Sequence, residues 1–268
     1  MPELPEVYIV SFVLETLFKG DTLSGWQRFS PRLRCQIPSE KDARFLLGAE
    51  LLRVRRVAKS MYLDFGFDLA LHVHLGMTGH FVLASASAEK SRHEHLRLEF
   101  ESGRALCYCD PRRFGVVNLR EIPEKNVPEP FVGELNVEYL AGACRGSQRS
   151  IKSLIMDQHI IAGPGNIYAC EALLLAGIRP DRPANSLDES ELRALSQALI
   201  QVIGAAVESG LNYQRQNGPF LNSETTHFPV VMNVYGRAGK ICLSCGTTTV
   251  KNIKIAGRSS FFCPSCQK

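Results

Sequence analysis

Hydrophobic and polar positions along this chain change their period twice. Over residues 5–19, Val10, Val13, Leu14, Leu17 and Phe18 recur at helical spacing. Pro5 suits a first helical turn and Gly20 a stop, so the pattern predicts an amphipathic helix. From about residue 24 to residue 120 the apolar runs shorten to strand length, at 51–57, 62–65, 70–75, 96–100 and 105–109, with Gly and polar residues between them. A meander of roughly eight such strands packs as a β-sandwich or barrel. Residues 119–135 carry Pro123, Pro128 and Pro130 among mixed charges, a linker pattern. Helical periodicity then predicts helices over 137–143, 147–157, 166–176 and 190–209, followed by a polar loop over 210–228. Near the end, Ile253, Ile255 and Phe261 flank Ala256-Gly257 and predict a β-hairpin. There is no internal repeat and no low-complexity tract. The expected fold is α+β in two domains. An N-terminal β-sandwich with flanking helices (1–120) leads through a linker (121–135) to a helical domain (136–228) ending in a β-hairpin finger (229–268).

Composition narrows the class. Of 268 residues, 45% are hydrophobic and 22% charged, enough for sizeable cores. No apolar run approaches the roughly 18 residues of a membrane span, and the N-terminus has neither a basic nor an apolar signal region. The expectation is a cytoplasmic protein with no membrane partner, nucleoid-associated in a bacterium. The net charge of +4 is too small to identify a partner, but its distribution is uneven. From Arg237 to Lys268 there are six basic residues and no acidic one, and Arg53, Arg55, Arg56 and Lys59 form a second cluster. Either cluster alone suits a solvated surface. A tail of one sign beside a metal-site pattern favours a polyanion.

That metal pattern comes from four of the nine cysteines. Cys242, Cys245, Cys263 and Cys266 read C-x2-C-x17-C-x2-C, a spacing suited to a structural zinc held by four thiolates. Four thiolates leave no open position, so one structural Zn2+ is the expected cofactor. Cys35, Cys107, Cys109, Cys144 and Cys170 are scattered and expected to be small buried apolar groups.

The N-terminus offers a second chemistry. Met1 precedes Pro2, a small residue after which the initiator is removed, leaving a secondary amine. An α-amino group has a pKa of about 7.7–8 against about 10.4 for lysine, so a useful neutral fraction attacks an aldehyde or sugar C1′. Glu3 and Glu6 lie within one turn and suit proton transfer. The same residues also suit a plain helix start.

Pro2-Glu3-Leu4-Pro5-Glu6-Val7 resembles the N-terminal signature of the formamidopyrimidine-DNA glycosylases, repair enzymes that excise oxidised purines. The resemblance continues in order through His74-Leu75-Gly76-Met77-Thr78-Gly79, Asp110-Pro111-Arg112-Arg113-Phe114-Gly115, Gly165-Asn166-Ile167-Tyr168-Ala169, Tyr235-Gly236-Arg237 and the four zinc cysteines. It implies a helix–two-turn–helix DNA-binding domain over 136–228, and a monomer acting on double-stranded DNA with damaged bases or abasic sites. Pro2 is implied as nucleophile, Glu3 as acid/base and Glu6 as its support. Lys59 and His74 are implied as phosphate contacts, Lys59 also being the competitor for the covalent role. Met77, Arg112 and Phe114 correspond to the side chains inserted into the duplex. Extruding a base leaves a hole that Met and Phe fill, while Arg donates to the orphaned base. Lys152, Asn166, Tyr235 and Arg258 complete the implied DNA contacts, Asn166 at a helix N-terminus suited to an anion.

The implied activity is base excision through an N-terminal proline iminium, with β,δ-elimination at the abasic site. Alternatives are an oxidised-pyrimidine glycosylase like endonuclease VIII, a non-catalytic DNA-damage-binding protein, and a zinc-ribbon RNA-binding protein. The sequence departs from the family at Tyr8-Ile9-Val10, at Pro164, and at Gly210-Leu211-Asn212-Tyr213-Gln214-Arg215-Gln216, where the family keeps the loop that closes over the extruded base. These departures bear on which damaged bases are accepted.

Overall fold

The structure is a computed structural model that describes residues 2–268; Met1, expected to be removed, lies outside the described residues. The chain forms two compact units. One comprises the residues up to Glu124 together with Ser209–Pro229, and the other Lys125–Glu208 together with Val230–Lys268.

In the first unit, helix α1 (Leu4–Phe18) buries Leu4, Val7, Val10, Val13, Leu14 and Phe18. It is followed by β1 (Leu23–Arg28), the short helix α2 (Glu40–Ala43), β2 (Arg53–Val57), β3 (Ser60–Asp64), β4 (Ala70–His74), β5 (His80–Ser85), β6 (Glu94–Phe100), β7 (Arg104–Cys109) and β8 (Val116–Arg120). Two antiparallel sheets, ordered β1-β6-β7-β5 and β2-β3-β4-β8, make the β-sandwich. β6 and β7 are buried almost throughout, so polar side chains on them need internal partners. Arg97 and Glu94 supply one another at 2.8 Å. Cys107 and Cys109 are buried beside them, and burial pushes their thiols up to about 12 and about 11. They are protonated apolar filling, as expected.

The second unit holds α3 (Val137–Cys144), α4 (Ile151–Ile155), α5 (Asn166–Leu175) and most of α6 (Glu189–Asn217), then the hairpin β9 (Lys251–Ile255) and β10 (Arg258–Phe262). Leu140, Ile151, Leu154, Ile155, Leu173, Leu195 and Leu199 form its helical core.

Three expectations need correction. The segment 121–135 is not a free linker: from Lys125 it is built into the second unit, where Ala162 N–H donates to Pro128 O at 3.1 Å and Leu135 is buried. The helix expected over 147–157 is confined to Ile151–Ile155, because residues before it pair with another chain segment. Ile151 N–H donates to Arg182 O at 2.7 Å and Ala184 N–H to Arg149 O at 2.8 Å. Finally, α6 does not stop at Ser209; it runs to Asn217, and Ser209–Pro229 belong to the first unit rather than to a helical domain over 136–228. Gly210 is a close-approach glycine rather than a helix stop. A β-carbon there would lie 2.5 Å from Ile9 Cγ1 and 3.1 Å from Phe228 Cε1. Thus the departing residues Ile9 and Gly210 pack on one another. α6 also contains an 18-residue window apolar enough to span a membrane by length and composition, where none was expected from the sequence; 44% of that window is buried within the protein.

Candidate functional site

The N-terminus of α1 is shaped by its own sequence. Glu3 is the N-cap, and its side chain accepts from the backbone of Glu6 while Glu6 Oε2 accepts from Glu3 N–H at 2.8 Å, a reciprocal capping box. Pro5 occupies the first turn, where a missing N–H is harmless. The result is a Glu3 carboxylate only 1% exposed, held at the positive end of a helix. Pro2, directly before it, is half-exposed.

Lys59 sits with Ala58 in the tight turn joining β2 to β3, and Ala58 has a φ of 53°. Arg56 Nη1 donates to Ala58 O at 2.8 Å and helps shape the turn. The next residue, Ser60, pairs in register with His74 at the end of β4. Lys59 and His74 are therefore brought to one end of the same sheet. The proximity is electrically visible: burial, then the charges of Lys59 and Arg34, hold the His74 pKa below its ordinary value. Gly76 N–H donates to His74 Nδ1 at 3.1 Å, so the neutral ring carries its proton on Nε2 and offers a donor there.

Met77 and Phe114 are 41% and 45% exposed, unusual for large apolar side chains. They project from loops 75–79 and 110–115, which one buried carboxylate holds together. Asp110 is fully buried. Its Oδ1 accepts from Thr78 Oγ1 at 2.5 Å and from Arg112 N–H at 3.3 Å; its Oδ2 accepts from Gly115 N–H at 2.8 Å. His95 Nε2 donates to Asp110 O at 2.9 Å, leaving Nδ1 to accept from Ser30 Oγ at 2.8 Å. The loops also touch directly. A β-carbon on Gly76 would lie 2.6 Å from the backbone of Phe114, so only glycine fits there, at a φ of 65°. Arg112 is exposed and its guanidinium lies 4.8 Å from the Phe114 ring centroid. Met77, Arg112 and Phe114 thus form one preset group.

The second unit assembles another group. Gly165 caps α5 and Asn166 opens it. Gln158 fixes the preceding turns: its Nε2 donates to Met156 O and Pro164 O, both at 2.9 Å, and its Oε1 accepts from Gly163 N–H at 2.9 Å. Asn166 Nδ2 donates to Ser259 O at 3.0 Å, placing the start of α5 beside the β9–β10 turn. Ala256 and Gly257, at φ 46° and 76°, make that turn, and Arg258 stands exposed next to it. Lys152 differs from the expectation of a DNA contact. It is 1% exposed, and its ammonium donates to Asn166 Oδ1 at 2.5 Å, Ser260 Oγ at 2.6 Å and Ser259 O at 3.1 Å. It ties α4, α5 and the hairpin together. Tyr235 is half-buried, edge-on to Phe261 with centroids 5.1 Å apart.

The four expected zinc ligands converge: their sulfurs all lie within 4.8 Å of one another. Cys242 and Cys266 are 3.9 Å apart, and Cys245 and Cys263 3.8 Å. Thiolates about 2.3 Å from a tetrahedral zinc would be roughly 3.8 Å apart, so the donor set fits one structural zinc ion. The cluster packs on Cys170 and Leu174 of α5, with Val234 and Val250.

Several supporting residues were missed. Asp110 and Thr78 lie inside quoted motifs but were given no role; a lone carboxylate ending the apolar run of β7 was the available signal. Glu171 is another acidic residue in an apolar stretch. It is 4% exposed and accepts from the N–H groups of Asn233, Val234 and Tyr235 at 2.8–2.9 Å, fixing the segment that carries Tyr235.

Comparison with known proteins agrees with this geometry. Residues 1–117 match the profile of the formamidopyrimidine-DNA glycosylase N-terminal domain, residues 127–216 that of the same enzymes' H2TH domain, and residues 239–268 a zinc finger found in FPG and IleRS. The formamidopyrimidine-DNA glycosylase of Rickettsia peacockii is 37% identical over 276 residues, covering 100% of this chain and 99% of that protein. That of Acinetobacter baylyi is 38% identical over 273 residues, covering 100% and 98%. Among solved structures, the Lactococcus lactis formamidopyrimidine-DNA glycosylase non-covalently bound to DNA containing an abasic site superposes with a TM-score of 0.85 at 31% identity, covering 100% of both chains. The wild-type Lactococcus lactis protein with DNA containing an oxidised pyrimidine gives 0.87 at 30% identity, again covering 100% of both chains.

Proposed function

This chain belongs to the formamidopyrimidine-DNA glycosylase family, a family of bifunctional glycosylase/abasic-site lyases acting in base excision repair, and on that premise we propose the following chemistry and substrates for it. Its partner is double-stranded DNA carrying oxidised purines or abasic sites. It acts as a monomer, in the cytoplasm. Met77 and Phe114 fill the gap left by an extruded base and Arg112 donates to the orphaned partner. Lys59, His74, Asn166 and Arg258 hold phosphates of the damaged strand, and Tyr235 adds a contact beside Arg258. Lys152 acts by positioning Asn166.

With Met1 removed, the Pro2 nitrogen attacks C1′ and forms a C–N bond. The glycosidic bond breaks, and the base leaves with that electron pair and takes the proton shed by the Pro2 nitrogen. The sugar ring then opens at C1′–O4′: the nitrogen lone pair forms the C=N bond of the iminium, and O4′ keeps the C–O electron pair and takes a second proton from Glu3 in its acid form, with Glu6 holding Glu3 in place. The iminium withdraws electrons from C2′. Loss of a C2′ proton expels the 3′ phosphate, and a second elimination expels the 5′ phosphate. Zinc contributes no step; it holds the finger that presents Arg258.

The observation that carries this reading is the buried Glu3 carboxylate fixed directly behind the residue that bears the amine. Borohydride should trap a protein–DNA adduct that maps to residue 2. An adduct at Lys59, or normal trapping with Met1 retained, would overturn the mechanism. A second reading, excision of oxidised pyrimidines, is favoured by the relative captured on such DNA and by the altered 210–216 segment. Duplexes each bearing one lesion, 8-oxoguanine, formamidopyrimidine or oxidised pyrimidine, decide between them through the relative rates of strand cleavage.

A further inference from the structure

Tyr108 lies on β7 two residues before Asp110 and is 1% exposed, with its ring edge-on to Phe81 at 5.4 Å. Its hydroxyl is buried and has no hydrogen-bond partner among the described residues. A buried hydroxyl without a partner is costly, and its place here is specific. β-Carbons built on Gly79 and on Gly115 would both fall against this oxygen. The hydroxyl therefore occupies the space where the loop bearing Met77 meets the loop bearing Arg112 and Phe114. Acceptors lie around the same two points: the β-carbon position of Gly115 is 3.1 Å from both Asp110 Oδ2 and His74 O, and that of Gly79 falls against Leu75 O.

We propose that Tyr108 is a positioning residue whose hydroxyl gains its hydrogen bond only when the two loops shift on entering the DNA duplex. This rests on the reading that Met77, Arg112 and Phe114 are inserted. In the free protein the unpaired hydroxyl disfavours the resting loop arrangement. In the inserted arrangement one of the surrounding carbonyls or the carboxylate accepts from it. Because the penalty is present in one state and absent in the other, it biases the equilibrium toward insertion. Neither glycine position admits a side chain without displacing the hydroxyl, so a shift of either loop changes what surrounds it.

Tyr108→Phe removes only the oxygen and keeps the ring that packs on Phe81. The variant should unfold at a higher temperature than the wild type, since a buried unpaired group is gone. It should bind lesion-containing duplex about tenfold more weakly while undamaged duplex is bound as before. Base release should slow by a similar factor, with cleavage of a preformed abasic site little changed. A 2-aminopurine beside the lesion should show less unstacking on binding. Wild-type lesion affinity and excision in Tyr108→Phe would refute the proposal, as would a lowered unfolding temperature, which would mean that the hydroxyl is already bonded in the free protein. Phe114→Ala separates the two ideas. Normal duplex excision by that variant would refute insertion itself; impaired Phe114→Ala with normal Tyr108→Phe would refute only the role of Tyr108.

Discussion

Asp110→Asn tests whether one carboxylate sets the register of the loops that carry Met77 and Phe114. The substitution keeps shape and volume but replaces one oxygen by an NH2 group. In the protein, Oδ1 faces two donors, Thr78 Oγ1 and Arg112 N–H, and Oδ2 faces a third, Gly115 N–H. An asparagine amide has one acceptor oxygen: turned toward Thr78 it leaves the buried Gly115 N–H facing an NH2 group, and turned toward Gly115 it loses the Thr78 donor and sets NH2 against Arg112 N–H. Losing a charge-assisted hydrogen bond costs about 1.5–3 kcal/mol, and an unsatisfied buried donor adds a similar amount, so about 3 kcal/mol is expected for the first unit. The assay is urea unfolding followed by tryptophan fluorescence. The single tryptophan, Trp26, is buried in β1 and reports that unit specifically. Thr78→Val removes one donor and leaves the carboxylate its two backbone partners, so it should cost about 1–2 kcal/mol. Both variants should lose excision from duplex more than cleavage at a preformed abasic site, because a site without a base needs no extrusion. Unfolding of Asp110→Asn within about 0.5 kcal/mol of wild type, the range of an ordinary surface change, would show that the carboxylate does not hold the two loops.

Cys245→Ser should release zinc and weaken DNA binding while leaving the Trp26 transition unchanged; tight DNA binding by metal-free protein would contradict the role given to the finger. Arg258→Ala should weaken damaged and undamaged duplex alike and reduce the salt dependence by about one charge, whereas a loss confined to damaged DNA would assign Arg258 to lesion reading. Lys152→Met should leave the salt dependence intact but lower the stability of the second unit by about 1–2 kcal/mol, since the buried Ser260 hydroxyl and the half-buried Asn166 lose its ammonium as a donor. A reduced salt slope would instead show Lys152 contacting phosphate. Burial lowers the pKa values of His72, His74 and His95, that of His72 to about 4, so the unfolded chain binds protons first as pH falls from about 6.5. Stability of the first unit should thus be fully present above that pH and drop toward pH 4. His72 alone accounts for up to about 3 kcal/mol, and a stability flat over this window would refute the assignment.

Much of this protein is local enough to be read along the chain. The zinc ligands are set by short spacings within two turns, and the four sulfurs meet where those turns meet. The capping box needs only Glu3 and Glu6 three residues apart. The strand runs and the Ala256-Gly257 turn follow from alternation and from residues that tolerate positive φ. The order of the motifs along the chain was enough to point to the family. What the tertiary structure decided depends on partners distant in sequence. Lys152 is expected from the resemblance to contact DNA, yet residues more than a hundred positions away capture its ammonium. Gly210 reads as a helix stop, but the side chain of Ile9, across the first unit, makes it a point of contact within a longer helix. Asp110 is one acidic residue in a motif until Thr78 from another loop donates to it and turns two loops into one body. Propensity and periodicity record what a residue does to its neighbours in the chain. Burial and hydrogen-bond satisfaction are set by whichever groups packing brings alongside, and these three residues took their roles from packing.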